Sequence, residues 1–237
     1  MDKQFNFQEF QAIVATLRSE HGCPWDRAQT HESLKENTIE EAYEVNQAIN
    51  DLTATGDASN LKEELGDLLL QVMLHSQIAE ESGEFTLEDV IDGIARKMIH
   101  RHPHVFGGKS YGSIEEQKKD WEELKAQEEG HQYDSPVSEL KEVPLAFPAL
   151  IRGQKVMKKA FRHDLISDSD SEIMREMLQS IVDLQISASH PEEEAMSQAL
   201  GKSLLSILKL AAKYKVNAET ALANEIDRFI DIQEKKD

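Results

Sequence analysis

Four carboxylates stand at spacings suited to holding a divalent cation. Glu41 and Glu44 are three apart in Glu40-Glu41-Ala42-Tyr43-Glu44, and Glu64 and Asp67 are three apart in Glu64-Leu65-Gly66-Asp67. On a helix, residues at that spacing share a face. Each pair is expected beside its helix's apolar stripe, not opposite it. If the two helices pack antiparallel across the turn between them, the pairs face each other. That meeting is costly: two unit charges about 5 Å apart repel by roughly 3 kcal/mol at an effective dielectric near 20. Several such pairs rival the stability of a domain, and a divalent cation among them removes the cost. An all-oxygen set suits Mg²⁺, with Mn²⁺ as a substitute, and argues against zinc. The same spacing is also that of an ordinary solvated acidic face. A di-iron bundle needs Glu-x-x-His motifs, but position 67 is Asp and His75 is out of step.

A second chemistry-bearing group follows in Arg96, Lys97, His100 and Arg101. Lys97 and Arg101 are four apart and share a helical face. Beside a metal cluster they suit triphosphate oxygens, the guanidinium offering a bidentate fork. Charges at the end of a helix also complement its dipole. His102 and His104 flank Pro103 and read as exposed loop histidines, with no Cys or other spaced zinc ligand. Gly107-Gly108-Lys109-Ser110 lacks the spacing and the preceding strand of a phosphate loop. Nothing local suggests a Ser-His-Asp triad.

The elements that must position these groups read as helices. Charged residues make up 30% and hydrophobic ones 39%, with aromatics only 6%, a mix that favours helix over sheet. At 237 residues the chain is long enough for one large domain or two small ones. Its formal charge of −19 should repel a duplex backbone, so no nucleic-acid partner is expected. One cysteine, Cys23, forbids an intrachain disulfide and agrees with a reducing cytoplasmic setting. The N-terminus has no signal-like layout, and no segment is apolar enough for a membrane.

Phe7, Phe10, Val14 and Leu17 make the first stripe, which Gly22-Cys23-Pro24-Trp25 breaks. A second helix is expected over Glu32 to Leu52, with Thr38, Ala42, Val45, Ile49 and Leu52 inward. Ser59 or Asn60 is its successor's expected N-cap. That third helix, Leu61 to Glu81, is apolar enough to be central. Gly83 ends it. Thr86-Leu87-Glu88-Asp89 offers a weaker cap than a full box to a helix that Arg101-His102-Pro103 stops. Ile114 to Glu128 forms a shorter helix. Residues 130–148 carry three prolines and read as a connector. Helix resumes at Ala149. Leu200-Gly201-Lys202-Ser203-Leu204-Leu205 then echoes Leu65-Gly66-Asp67-Leu68-Leu69-Leu70 at an offset of 135, which suggests a duplicated helical unit.

Together these residues resemble the MazG-type nucleoside triphosphate pyrophosphohydrolases. The resemblance rests on Gly22-Cys23-Pro24-Trp25-Asp26, Gln29-Thr30-His31 and Ser33-Leu34. It rests also on Glu40-Glu41-x-x-Glu44 with Glu64-x-x-Asp67, and on Arg101-His102-Pro103-His104-Val105-Phe106. It covers nearly the whole chain and is strongest from 22 to 125. It implies an all-α fold of two related helical-bundle repeats and a homodimer or higher homo-oligomer. It also implies Mg²⁺-dependent cleavage of nucleoside triphosphates between the α and β phosphates, over a broad substrate range. By the same resemblance Glu41, Glu44, Glu64 and Asp67 are metal ligands. Glu40 orients or deprotonates the attacking water, Lys97 and Arg101 hold the triphosphate, and Trp25, Asn37, Trp121 and Lys125 are substrate contacts.

The second half departs from that pattern. The offset of 135 sets Ala199 opposite Glu64, Lys202 opposite Asp67, and Gln179 opposite Glu44, while Glu176 alone matches Glu41. The expected organisation is therefore a catalytic repeat over 1–129, a connector over 130–148, and a degenerate repeat over 149–237 that packs or dimerises. A non-catalytic helical interaction module, or a pyrophosphatase narrow for one nucleotide, is the competing reading.

Overall fold

The computed structural model describes residues 3–128, 135–167, 169–189 and 192–236, without the side chains of residue 122 and residues 126–128. Every regular element among the described residues is a helix, as composition and periodicity predict. The chain divides into two compact units, Met1–Glu129 and Gly130–Asp237. The first contains α1 (Phe7–Arg18), α2 (Pro24–Ala28), α3 (Lys35–Thr55), α4 (Ser59–Ser82), α5 (Leu87–Arg101), α6 (Pro103–Phe106) and α7 (Ile114–Glu128). The second contains α8 (Pro136–Lys141), α9 (Ala149–Arg162), α10 (Asp170–Ser189), α11 (Glu193–Lys213) and α12 (Ala218–Glu234). Residues 129–134, where the expected catalytic repeat meets its connector, lie outside the described residues.

Local chemistry sets the helix ends, and here several expectations change. Pro24 does not merely interrupt: it opens α2, where its missing N–H costs nothing. Ala58, not Ser59 or Asn60, occupies the N-cap of α4. Asp57 supplies the acceptor instead, taking the Ser59 N–H at 2.9 Å and its hydroxyl at 2.6 Å. Gly56 and Gly83 close α3 and α4 in the left-handed region, at φ 76° and 72°. The cap of α5 is a full reciprocal box, because the Asp89 carboxylate reaches back to the Thr86 N–H at 2.8 Å. Residues 135–141 are not plain connector: Ser135 caps α8, with Pro136 in its first turn.

The packed face of α3 also differs from the apolar stripe expected. The less exposed positions are Thr38, Glu41, Val45, Ala48 and Leu52, stepping by three and four, with Asp51 beside them, while Ala42 and Ile49 face outward. Glu41 is thus on the packed stripe, not beside it. On α4 the apolar core is confined to the C-terminal half, where Met73, Leu74 and Ile78 join Val14, Leu34 and Leu87. In the N-terminal half, Leu65 and Leu69 are exposed. Glu64 and Asp67 are half-buried there, in line with buried Gln71 and beside half-buried Leu61, Leu68 and Leu70. A helix expected to be central throughout is central only beyond that line.

Arg18 fastens α2 to this core. Its guanidinium makes a bidentate pair with Glu81, at 3.0 and 2.8 Å, and donates to the Asp26 carbonyl at 2.5 Å and the Gln29 carbonyl at 3.2 Å. Arg18 holds the Glu81 carboxyl below the usual range. A lysine keeps the charge but has no planar fork to serve all these acceptors. Arg18→Lys should therefore lower unfolding free energy by about 2 kcal/mol, read as an earlier urea midpoint. An unchanged midpoint would contradict the clamp.

In the second unit α9 packs on α11 through Met157, Leu208 and Ala212. Gly153 permits the approach, since a Cβ there would meet Leu208 Cδ1 at 2.5 Å. Glu139 of α8 is buried and bonds Lys159, Arg162 and His163.

Candidate active site

Helices α3 and α4 form an antiparallel hairpin whose register can be read from two contacts. Thr38 Oγ1 lies 3.1 Å from His75 Nε2, and Gln71 Nε2 donates to Glu41 Oε1 at 3.5 Å. From the first contact to the second, α3 advances three residues and α4 retreats four. One more such step sets Glu44 near Asp67. Carboxylate oxygens of Glu41, Glu64 and Asp67 all lie within 4.8 Å of one another. Glu44 acts electrostatically on both Glu41 and Glu64, so all four expected carboxylates share one neighbourhood.

Their electrostatics are unfavourable as they stand. Burial pushes the Glu41 carboxyl up, then Asp67 and Glu44; the Gln71 amide opposes them. Burial likewise raises Glu64, followed by Glu44, Asp67 and Glu63. The neighbouring charges behind both effects are all negative. Such a set fits a hard divalent cation: its donors are all oxygens, and a cation would reverse the sign of the local field. Among the described residues no other three His, Cys, Asp or Glu side chains converge in this way.

The remaining expected site residues fall into other places. Glu40 and Asn37 are exposed on α3, Lys97 is exposed on α5, and Trp25 stands on α2 at 76% exposure. Among the described residues no hydrogen bond joins Asn37, Lys97 or Trp25 to the four carboxylates. A separate pair does form: the Arg101 guanidinium lies over the Trp121 ring, 5.5 Å from its centroid. Lys125 is one turn beyond Trp121 on α7, and Trp121 with Ile114, Gln117 and Lys118 lines an open cavity of about 400 Å³.

The histidines at the end of α5 are not loose loop residues. His102 Nδ1 lies 2.6 Å from the Met98 carbonyl, and His104 Nε2 lies 3.1 Å from Gln117 Nε2 on α7. They pin α6 between α5 and α7. Lys109 has a structural partner too, pairing with Asp120 at 2.5 Å. Sequence reasoning missed Gln71 and the stacked His31–His75 pair, whose ring centroids are 5.1 Å apart. Gln71 left a signal: a lone amide within Leu68-Leu69-Leu70-Gln71-Val72-Met73-Leu74, four residues after Asp67.

Residues 29–106, which span this site, match the MazG nucleotide pyrophosphohydrolase domain. The nucleoside triphosphate pyrophosphohydrolase/pyrophosphatase MazG of Thermotoga maritima is 39% identical over 228 residues, covering 95% of this chain and 83% of that protein. The nucleoside triphosphate pyrophosphohydrolase of Escherichia coli K12 is 33% identical over 229 residues, covering 92% and 81%. The uncharacterised protein YabN of Bacillus subtilis is 38% identical over 224 residues, which is 94% of this chain but 44% of that longer protein. With likeness of that extent over nearly its whole length, and with the acidic hairpin inside the matched domain, this chain belongs to the MazG family of nucleotide pyrophosphohydrolases.

Proposed function

We propose that this protein hydrolyses nucleoside triphosphates between the α and β phosphates, giving a nucleoside monophosphate and pyrophosphate, and that the first unit does the work. The observation that carries this reading is the convergence of Glu41, Glu64 and Asp67, with Glu44 beside them and no opposing charge among the causes that raise Glu41 and Glu64. These four carboxylates would hold Mg²⁺. A bound Mg²⁺ supplies charge neutralisation for the triphosphate and activation of water.

The chain's own residues do the rest. Glu40, exposed beside Glu41, orients the attacking water or takes its proton. Lys97 and Arg101, one turn apart on α5, bind phosphate oxygens, where positive charge helps most as the transition state spreads its negative charge. Trp121 offers an aromatic face to a base, with Lys125 one turn away; Trp25 and Asn37 complete the substrate contacts. A broad substrate range fits an open cavity beside Trp121 better than a closed, base-reading one.

In the second unit the corresponding charges cancel. Glu176, opposite Glu41 at the offset of 135, pairs with Lys209 at 2.5 Å, and Ala199 is buried where Glu64 would stand. We assign this unit a packing or dimerising role. Large apolar side chains remain outward on both units, including Leu65 at 49%, Ile94 at 51%, Leu178 at 59% and Phe229 at 62% exposure. Apolar surface on this scale favours a homo-oligomer. No described helix is long and apolar enough to cross a membrane.

A panel of NTPs and dNTPs with Mg²⁺, read for monophosphate and pyrophosphate together, tests the activity. Equal yields of the two are expected. Orthophosphate with nucleoside diphosphate would overturn α–β cleavage, and no turnover of any member would favour a non-catalytic module.

A further inference from the structure

One buried amide sits against the acidic cluster and has no part in the scheme above. Gln71 is one turn beyond Asp67 on α4 and only 5% exposed. Its Nε2 donates to Glu41 Oε1 at 3.5 Å. The reverse orientation of the amide would set oxygen against carboxylate, so the donor end belongs toward Glu41. The other end, Oε1, is then buried with no hydrogen-bond partner. Folded proteins seldom leave a buried acceptor in that condition, and each instance calls for a reason.

The second unit gives a contrast. In the register that sets Ala199 opposite Glu64, Ser206 stands opposite Gln71. Ser206 is 2% exposed, and its hydroxyl donates to the Lys202 carbonyl of its own helix at 3.1 Å. Where the acidic ligands are missing, the buried polar group satisfies itself. Where they are present, it reaches for a ligand and keeps an acceptor open.

We propose that Gln71 is the positioning residue of the metal site: its Nε2 holds Glu41 in the orientation that faces Glu64 and Asp67, and its Oε1 accepts a hydrogen bond from water that enters with the cation. The proposal rests on the metal reading of the four carboxylates. An amide suits the task because it orients Glu41 without cancelling its charge, as a lysine would. Its acceptor stays open until the site fills.

Direct Mn²⁺ titration of substrate-free protein, by calorimetry, tests this without turnover. Gln71→Met keeps the bulk and removes both polar ends. It should bind Mn²⁺ some 10- to 100-fold more weakly, the usual cost of losing a group that orients a ligand. Its metal-free melting temperature should equal or exceed the parent's, since an unsatisfied acceptor is gone. Gln71→Asn keeps the amide one methylene short of Glu41 and should lose affinity likewise, which serves if methionine disturbs folding. In both variants the KM for Mg²⁺ should rise while kcat at saturating Mg²⁺ largely returns. Parent-like Mn²⁺ affinity in either folded variant would overturn the role of Gln71 alone. No Mn²⁺ binding by the parent would overturn the metal reading, and this inference with it.

Discussion

Glu64→Ala should lower Mg²⁺-dependent pyrophosphate release by about a thousandfold, the upper end for losing one preorganised electrostatic group. It should also leave the metal-free protein as stable as the parent or more so. The two expectations share one cause. Glu64 is held near Glu41, Glu44 and Asp67. On the proposed metal reading its charge is useful only when a cation is there to meet it. Burial and the neighbouring carboxylates raise both Glu41 and Glu64 above the ordinary 4.5. A carboxyl raised on folding binds protons more readily folded than unfolded. Between 4.5 and the raised value, its contribution to stability therefore falls as pH rises. At neutral pH the cluster opposes folding, and removing one member relieves that. Added Mg²⁺ should raise the melting temperature of the parent by mass action and do little for the variant. Lys202→Ala, at the matching place in the second unit, should leave turnover intact. Full turnover in Glu64→Ala, with loss in Lys202→Ala, would move the active site to the second unit.

How much of this site was legible in sequence depends on what each residue answers to. The two pairs Glu41/Glu44 and Glu64/Asp67 were readable because spacing along a helix fixes which residues share a face. Their place relative to the core was not. Of the expected stripe Thr38, Ala42, Val45, Ile49 and Leu52, three face inward, but Glu41 and Ala48 take the places of Ala42 and Ile49. Hydrophobic periodicity assumes that apolar means inward, and a functional face reverses this: carboxylates turn in while Leu65 and Ile49 are left outside. The same assumption hid Gln71, which reads as a polar interruption in an apolar run. Helix starts were missed for a different reason. Ser59 has a good capping side chain, but Asp57 two residues earlier takes both its N–H and its hydroxyl, and only geometry decides such a competition. Arg18 shows the limit most plainly. Its partners come from two separate segments, Asp26 and Gln29 at the end of α2 and Glu81 on α4, and no local pattern announces them.

Glu139→Gln should have the largest effect on stability, about 3 kcal/mol, the lower end for breaking a buried ion pair because the Lys159 and Arg162 side chains keep some solvent. Glutamine preserves the volume at position 139 but leaves Lys159, Arg162 and His163 gathered around an uncharged amide. Burial by itself would raise the Glu139 carboxyl, but Lys159, His163 and Arg162 outweigh it and bring it to about 2. The sign is opposite to that of Glu64. A carboxyl depressed on folding adds stability that is fully present above the unfolded value, here 4.5, and is lost as pH falls through about 2. The gap in stability between parent and variant should accordingly be widest above pH 4.5 and close on acidification toward 2. Neither tryptophan, Trp25 or Trp121, is among the residues of this network, so fluorescence does not report on it directly. Amide hydrogen exchange over α8 and α9 does: at neutral pH it should quicken in Glu139→Gln, because Glu139 is what ties the short helix α8 to α9. Unchanged exchange there would mean that apolar contacts alone, such as those of buried Val143, hold α8 in place.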